Sequence, residues 1–147
     1  MIKEFQKEYR WLSNFWFCRV QLDGEWYNSV EHAYVAAKTL DLEERKSIQK
    51  IENPGVAKRL GRKLTIRPDW DRVKLSIMES LVRQKFKTPY IRKELLATGD
   101  EILQEGNLWN DTFWGVDLHT GKGENHIGKI LMKIREELKR PREEGGY

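Results

Sequence analysis

Cysteine is nearly absent from this chain: Cys18 stands alone. A single thiol excludes an intrachain disulfide, a cysteine zinc cluster and a redox pair, and it suits a reducing compartment. Long apolar runs are lacking too. No stretch approaches the length of a membrane span, and the opening MIKEFQKEYR has no signal-peptide character. A soluble, cytoplasmic protein is expected. Internal repeats and low-complexity blocks are missing. The three histidines, His32, His119 and His126, are scattered, and Glu31-His32 has no second histidine four residues on. The zincin motif therefore fails, and neither a metal site nor a cofactor is expected. Gly123-x4-Gly128-Lys129 begins like a P-loop, but Ile130 stands where a hydroxyl must hold magnesium. Gly121-x-Gly123 lacks the strand and spacing of a dinucleotide fingerprint.

What is present is a chain of 147 residues, enough for one domain and for a core that needs no staples. Residues 1–140 are expected to form that domain, and residues 141–147 a frayed tail. The net charge is +4, unevenly placed. Between Lys58 and Lys74 there are seven basic residues (Lys58, Arg59, Arg62, Lys63, Arg67, Arg72, Lys74) against Asp69 and Asp71. Positive charge gathered this way suits a phosphate-bearing partner, nucleic acid or a small nucleotide, although a solvated helix face explains it equally well.

The periodicity predicts a mainly helical α+β domain with a small antiparallel sheet. Phe17–Leu22 and Glu25–Asn28 flank Asp23-Gly24, which supplies the positive φ angles of a hairpin turn. Ser29 is placed to cap a helix whose buried stripe is Val30, Ala33, Tyr34, Ala37 and Leu40. Asp41 is placed to cap a second helix, with Glu44 three residues on to close a capping box. Asn53-Pro54 opens a short helix through Leu60. Pro68 opens the longest, with Trp70, Val73, Ile77, Leu81 and Val82 inward. Tyr90–Ala97 reads as a further helix stopped at Gly99, Ile102–Gln104 as a short strand, and Ile127–Leu138 as the closing helix.

Two carboxylates attract chemistry. Glu31 falls in the first turn of its helix, where the macrodipole favours the ionised form. Lys38, seven residues on, shares the same border of the apolar stripe. Such a carboxylate can stabilise positive charge on a reacting sugar or orient water, yet acidic residues are also ordinary in first turns. Asp111 lies in an aperiodic stretch between Trp109 and Trp114, whose indoles would exclude water and offer a flat face to a base. The plainer reading is a turn residue in a loop that the tryptophans pin to the core. Trp70, beside the basic run, is equally a core residue by pattern. Lys58 and Arg62 are four apart, on one face if the segment is helical, and could clamp a phosphate.

These pieces recur in a known order. The chain has Ser13-Asn14-Phe15, then Ser29-x-Glu31-His32-x-Tyr34 with Lys38, then Ala57-Lys58-x-x-Gly61-Arg62 and Trp70. Met78 and Lys85-Phe86 follow, then Asp111-x-x-Trp114-Gly115, and last Gly123-x-Asn125-x-Ile127-Gly128 with Leu131-Met132 and Arg135. From about Phe5 to Leu138 the chain resembles the NADAR family of YbiA-like N-glycosidases, with Val35 and Asp117 departing from the usual pattern. The resemblance implies a mainly helical fold and hydrolysis of an N-glycosidic bond. It implies either the phosphorylated ribosylamine pyrimidines of early riboflavin biosynthesis or ADP-ribose on a guanine base, free or within nucleic acid. It implies no obligate protein partner. Carried over by position, Glu31 and Asp111 are the catalytic carboxylates. Lys58, Arg62 and Lys85 hold phosphate or ribose, Trp70 and Trp114 shape and stack the site, and Asn14 and Asn125 supply hydrogen bonds.

Breaking a C1′–N bond develops positive charge on the sugar, which a nearby anion stabilises. On this reading Glu31 stays charged and Asp111 shuttles the proton that a departing nitrogen needs. The competing readings are a nucleic-acid module and an ADP-ribose binder without turnover. Carboxylates among the phosphate-binding groups argue against the first, because they repel phosphate chains, and binding of free ADP-ribose without base release would mark the second.

Overall fold

The computed structural model describes residues 1–140, and the expected tail 141–147 lies outside the described residues. The chain divides into two units, Asn14–Lys87 and a second formed by Met1–Ser13 with the chain from Thr88 on.

The Asn14–Lys87 unit opens with the hairpin. Strands β1 (Val20–Leu22) and β2 (Glu25–Tyr27) pair antiparallel, Val20 opposite Tyr27. Asp23 at φ 48° and Gly24 at φ 86° make the turn. The outer edge of β1 is sealed by one side chain: Gln84 accepts from the Gln21 N–H and donates to the Gln21 carbonyl, both at 2.8 Å. An amide thus completes a strand edge that would otherwise be open to pairing.

Helix α1 (Val30–Ala37) follows, capped by Ser29, whose hydroxyl accepts the His32 N–H at 3.1 Å. Every one of its eight residues is buried. His32 is accommodated neutral. Its Nε2 must donate to the Ile51 carbonyl at 2.8 Å, which leaves Nδ1 to accept from the Ser29 hydroxyl at 2.7 Å. Burial holds its pKa below the ordinary value, against the opposing pull of the Ile51 carbonyl. The helix ends at Ala37, so Leu40 lies past it and is 59% exposed, not part of a buried stripe.

Asp41 caps α2 (Leu42–Gln49) as expected, its Oδ1 accepting the Glu43 and Glu44 N–H groups at 2.9 and 3.1 Å. The capping box does not close: the Asp41 N–H goes to the Thr39 hydroxyl, and the Glu44 carboxylate is directed elsewhere. Asn53 caps α3 (Pro54–Leu60) in the same way, with Pro54 at the first position. A 3₁₀ turn at Gly61–Lys63 continues it. Gly61 is required there, because a Cβ would stand 2.8 Å from Val35 Cγ1 of α1. Helix α4 (Trp70–Lys85) starts two residues after Pro68, and its fully buried side chains are Met78, Leu81, Val82 and Lys85.

In the second unit a 3₁₀ helix (Lys7–Leu12) precedes α5 (Pro89–Ala97), which is followed by Gly99 at φ 62°. Ile102–Gln104 is not a strand: it makes a single parallel bridge, Ile2 to Leu103. Strands β3 (Gly106–Asn107) and β4 (Val116–Asp117) pair in parallel, a feature too short to leave a periodic signal. A Cβ on Gly115 would lie within 2.6 Å of the Glu105 side chain, which explains the glycine ahead of β4. Helix α6 (His126–Lys139) closes the unit, burying Ile127, Ile130, Leu131 and Ile134. Among the described residues no helix is long and apolar enough to cross a membrane.

Lys85 is 1% exposed, and burial lowers its pKa from 10.5 to about 7, with Cys18 pulling weakly the other way. The folded state therefore binds fewer protons than the unfolded chain between those values, and stability must rise with pH across that interval. Urea midpoints measured near pH 7 and near pH 9 should increase more in the wild type than in Lys85→Met. Equal increments would place the Lys85 amine in water.

Candidate functional site

The expected site residues fall in both units, with Asn14, Glu31, Lys58, Arg62, Trp70 and Lys85 in Asn14–Lys87 and Asp111, Trp114 and Asn125 in the other.

Within Asn14–Lys87 the arrangement is built on α1. The Ser29 cap sets the first turn, and Glu31 follows, only 8% exposed. Its backbone N–H donates to the Asn14 carbonyl at 3.1 Å, which brings Asn14 to the head of the helix. The Asn14 side-chain amide donates to Met78 Sδ of α4 at 3.5 Å, a weak acceptor for an amide. Tyr34 lies one turn along from Glu31 on the same face. Trp70, partly buried at the start of α4, stands 5.1 Å from it, the two rings tilted by 51°. Lys38 closes the end of the helix, Nζ 5.8 Å from the Tyr34 ring centroid.

Lys38 reports the local electrostatics. Burial is the largest influence and holds its pKa below the ordinary value. Glu31 works in the opposite direction, and Lys58, Arg62 and Lys74 repel the ammonium and lower it further. One buried carboxylate and three further cations thus act on Lys38, which lies beside an aromatic pair. Glu31 near the helix N-terminus and Lys38 at its C-terminus each also match the sign of the macrodipole. Such a group can hold an anion on its cations, lay a planar ring against Trp70, and place negative charge beside a developing cation.

Five of the six expected residues in this unit therefore gather around α1. The sequence placed Lys38 beside Glu31 and within the family pattern, but assigned no site role to Tyr34, Lys38 or Lys74. The spacing Glu31, Tyr34, Lys38 at i, i+3 and i+7 was the available signal. Lys85 sits differently. Its amine is enclosed in the core with Nζ 5.4 Å from the Phe86 ring centroid, and its neutral form is favoured. Holding a phosphate requires a reachable ammonium.

In the other unit, the aperiodic stretch between Glu105 and Asp117 is a braced loop. The buried Asn107 is its hub. Its Oδ1 accepts the N–H groups of Trp109 at 3.3 Å and Asp111 at 3.0 Å, and its Nδ2 donates to the Asp111 carbonyl at 2.9 Å. Asp111 Oδ1 in turn accepts from Phe113 and Trp114 at 3.2 and 3.0 Å. One Asp111 oxygen thus organises the turn, as the plainer reading anticipates. Trp114 packs edge-on to Phe113 at 4.9 Å, and Phe113 lies 4.5 Å from the His126 ring. Trp109 is 56% exposed, so it does not pin the loop to a core. Asn125, at φ 53°, accepts the Glu105 N–H and donates to the Leu103 carbonyl, each at 3.0 Å. Those two bonds tie the segment before β3 to the start of α6. Asn107 was missed because a buried asparagine two residues before a tryptophan has no period to betray it. An open hollow of about 990 Å³ in this unit, lined by Lys3, Lys7, Tyr9, Trp11, Glu94 and Glu101 among others, contains none of the expected site residues.

The NADAR domain model matches residues 2–139. The N-glycosidase YbiA of Escherichia coli strain K12 is 37% identical over 134 residues, spanning 89% of this chain and 82% of its own. An N-glycosidase of Nostoc punctiforme is 40% identical over 137 residues, 89% of this chain and 86% of its own. A riboflavin biosynthesis protein of Vibrio vulnificus is 37% identical over 139 residues, 92% of this chain but 37% of that protein. The NMR structure of Escherichia coli YbiA superposes with a TM-score of 0.80 at 35% identity, covering 94% of this chain and 86% of that one. With a domain match that runs almost from end to end and relatives matched over most of their own length, the chain belongs to the NADAR family.

Proposed function

We propose that this chain hydrolyses the N-glycosidic bond of a phosphorylated ribosyl substrate, with the α1 cluster as the substrate site. The observation that carries the proposal is Lys38, which the buried Glu31 and the cations Lys58, Arg62 and Lys74 all influence, beside the Tyr34–Trp70 pair. As a member of a family whose curated relatives are named N-glycosidases, the protein is a hydrolase of N-glycosyl bonds. The finer assignment rests on physical argument.

Cleavage of the C1′–N bond leaves positive charge on the ribose ring. An ionised Glu31 stabilises that charge and orients the water that adds to C1′. The cations bind the substrate phosphate, and Trp70 takes the flat face of the base. Asn14, held at the head of α1, supplies a hydrogen bond. The water gives its oxygen to C1′, and the departing nitrogen takes a proton. Asp111, in the other unit, is proposed as the second catalytic carboxylate on the family resemblance, its Oδ1 accepting from the Phe113 and Trp114 N–H groups. Two substrate groups fit a ribosyl phosphate attached to a nitrogen base. The phosphorylated ribosylamine pyrimidines of riboflavin synthesis gain support from the relative named for that pathway. ADP-ribose on guanine offers the same bond type.

Incubation with each substrate group, followed by mass detection of freed base and sugar phosphate, tests the reading. Glu31→Gln should keep the wild-type fold and lose base release by about 10²-fold or more. Undiminished release by that variant, or binding of free ADP-ribose by the wild type with no release from either substrate group, contradicts it.

Asp111 is tested by a pair of variants. An asparagine keeps an oxygen for the Phe113 and Trp114 N–H groups, whereas alanine does not. Asp111→Asn should melt close to wild type and fail to release base, and Asp111→Ala should also melt lower, by about 1 kcal/mol of stability or more. Full activity in Asp111→Asn would leave Asp111 as a brace for its loop alone.

A further inference from the structure

Glu44 stands three residues after its N-cap, the position from which a glutamate closes a capping box. Its carboxylate reaches across the fold of the Asn14–Lys87 unit instead. Oε1 accepts from the Thr39 hydroxyl at 2.6 Å and from the Thr65 N–H at 3.0 Å. Oε2 accepts from the Thr65 hydroxyl at 3.1 Å. The Thr39 hydroxyl first, and the Thr65 N–H next, hold the Glu44 carboxyl below its ordinary pKa, so the bridge is made by the ionised form.

Both ends of this bridge adjoin the site. Thr39, 0% exposed, directly follows Lys38. Thr65 lies in the six-residue run 64–69 between the 3₁₀ turn bearing Arg62 and α4, which starts at Trp70. The same two stretches also meet through the backbone. The Arg67 N–H donates to the Lys38 carbonyl at 2.8 Å, and the Trp70 N–H donates to the Arg67 carbonyl at 3.2 Å. The Arg67 guanidinium pairs with Asp69, immediately ahead of α4, at 2.6 and 3.1 Å. Glu44 is the component of this junction that comes from a third element, α2, and it fixes the junction from outside.

We propose that Glu44 is a positioning residue for the α1 site: by bridging Thr39 and Thr65 it sets the separation of Lys38 from Arg62 and Trp70 without touching the substrate. The inference rests on the reading of the α1 cluster as the substrate site. A displacement on the order of 1 Å in groups that grip a substrate costs about 10²-fold in rate, so a remote brace carries weight.

Charge and geometry give opposite signs here. If Glu44 acted only through its negative charge, removing it would raise the local positive potential and tighten anion binding. Loss of the bridge instead loosens the junction and weakens binding.

The test uses the full chain with Glu44→Ala, Glu44→Gln, Thr39→Val and Thr39→Ser. Three quantities are read: kcat and KM for base release, inorganic pyrophosphate binding by tryptophan fluorescence, and the NMR signal of the Trp70 indole N–H, assigned with Trp70→Phe. Glu44→Ala should still unfold cooperatively, move the Trp70 signal, weaken pyrophosphate binding and lower kcat/KM by about tenfold or more. Glu44→Gln, which keeps an acceptor oxygen without the charge, should fall between Ala and wild type. Thr39→Val should follow Glu44→Ala, and Thr39→Ser should restore behaviour close to wild type. Unchanged or tighter pyrophosphate binding in Glu44→Ala, with the Trp70 signal in place, overturns the proposal. A wild type that binds pyrophosphate but releases no base, with binding lost in Glu44→Ala, would remove the hydrolase reading and leave the positioning role standing. A wild type that does neither removes both.

Discussion

A carboxylate inside a fully buried helix is the constraint on which the rest of the Asn14–Lys87 unit turns. Helix α1 has no exposed face, yet it carries Glu31 in its first turn and leads to Lys38 at its end. An ionised group without compensation would cost several kcal/mol in such a place. The helix N-terminus supplies part of the compensation to Glu31, and Lys38 supplies more. Lys38 is itself pressed by burial and by Lys58, Arg62 and Lys74, and although Asp71 pairs with Lys74 at 3.3 Å the cations still outnumber the carboxylates. A purely structural ion pair has no need of that excess. The proposed substrate, which brings its own negative charge and develops a positive one while reacting, would use it.

The surrounding elements serve this arrangement in distinguishable ways. Helix α3 approaches α1 closely because Gly61 leaves room for Val35, which delivers Lys58 and Arg62. Val35 is one of the departures from the family pattern, and its contact with Gly61 gives it a packing role at this crossing. Helix α4 brings Trp70 against Tyr34 at one end and buries Met78 and Lys85 further along. In the other unit the same economy appears in amides: Asn107 braces the loop that carries Asp111, and Asn125 ties the approach to β3 to the start of α6.

Features with a local cause were legible in the sequence. Asp23-Gly24 made its turn, and Ser29, Asp41 and Asn53 capped their helices, because each depends on a few neighbouring residues. The family resemblance, carried by short motifs in order, anticipated the fold. Features decided by distant partners were not legible. Leu40 fitted a helical period but fell beyond a helix that stops at Ala37. Glu44 had the spacing of a capping box, yet two threonines, one of them 21 residues away, won its carboxylate. The β3–β4 pair is two residues long, below the reach of any alternation pattern. Lys85 read as a basic residue for phosphate, and only burial, which no spacing reveals, makes it a core amine.

The central claim is that negative charge at position 31 supports cleavage of the sugar–nitrogen bond. Chemical rescue tests it most directly. Glu31→Ala leaves room for a small anion, so formate or azide should restore part of its base release in a concentration-dependent way, while sodium chloride should not. A truncated variant that remains folded and gains nothing from either anion, or that needs none because it is as fast as the wild type, would contradict the account.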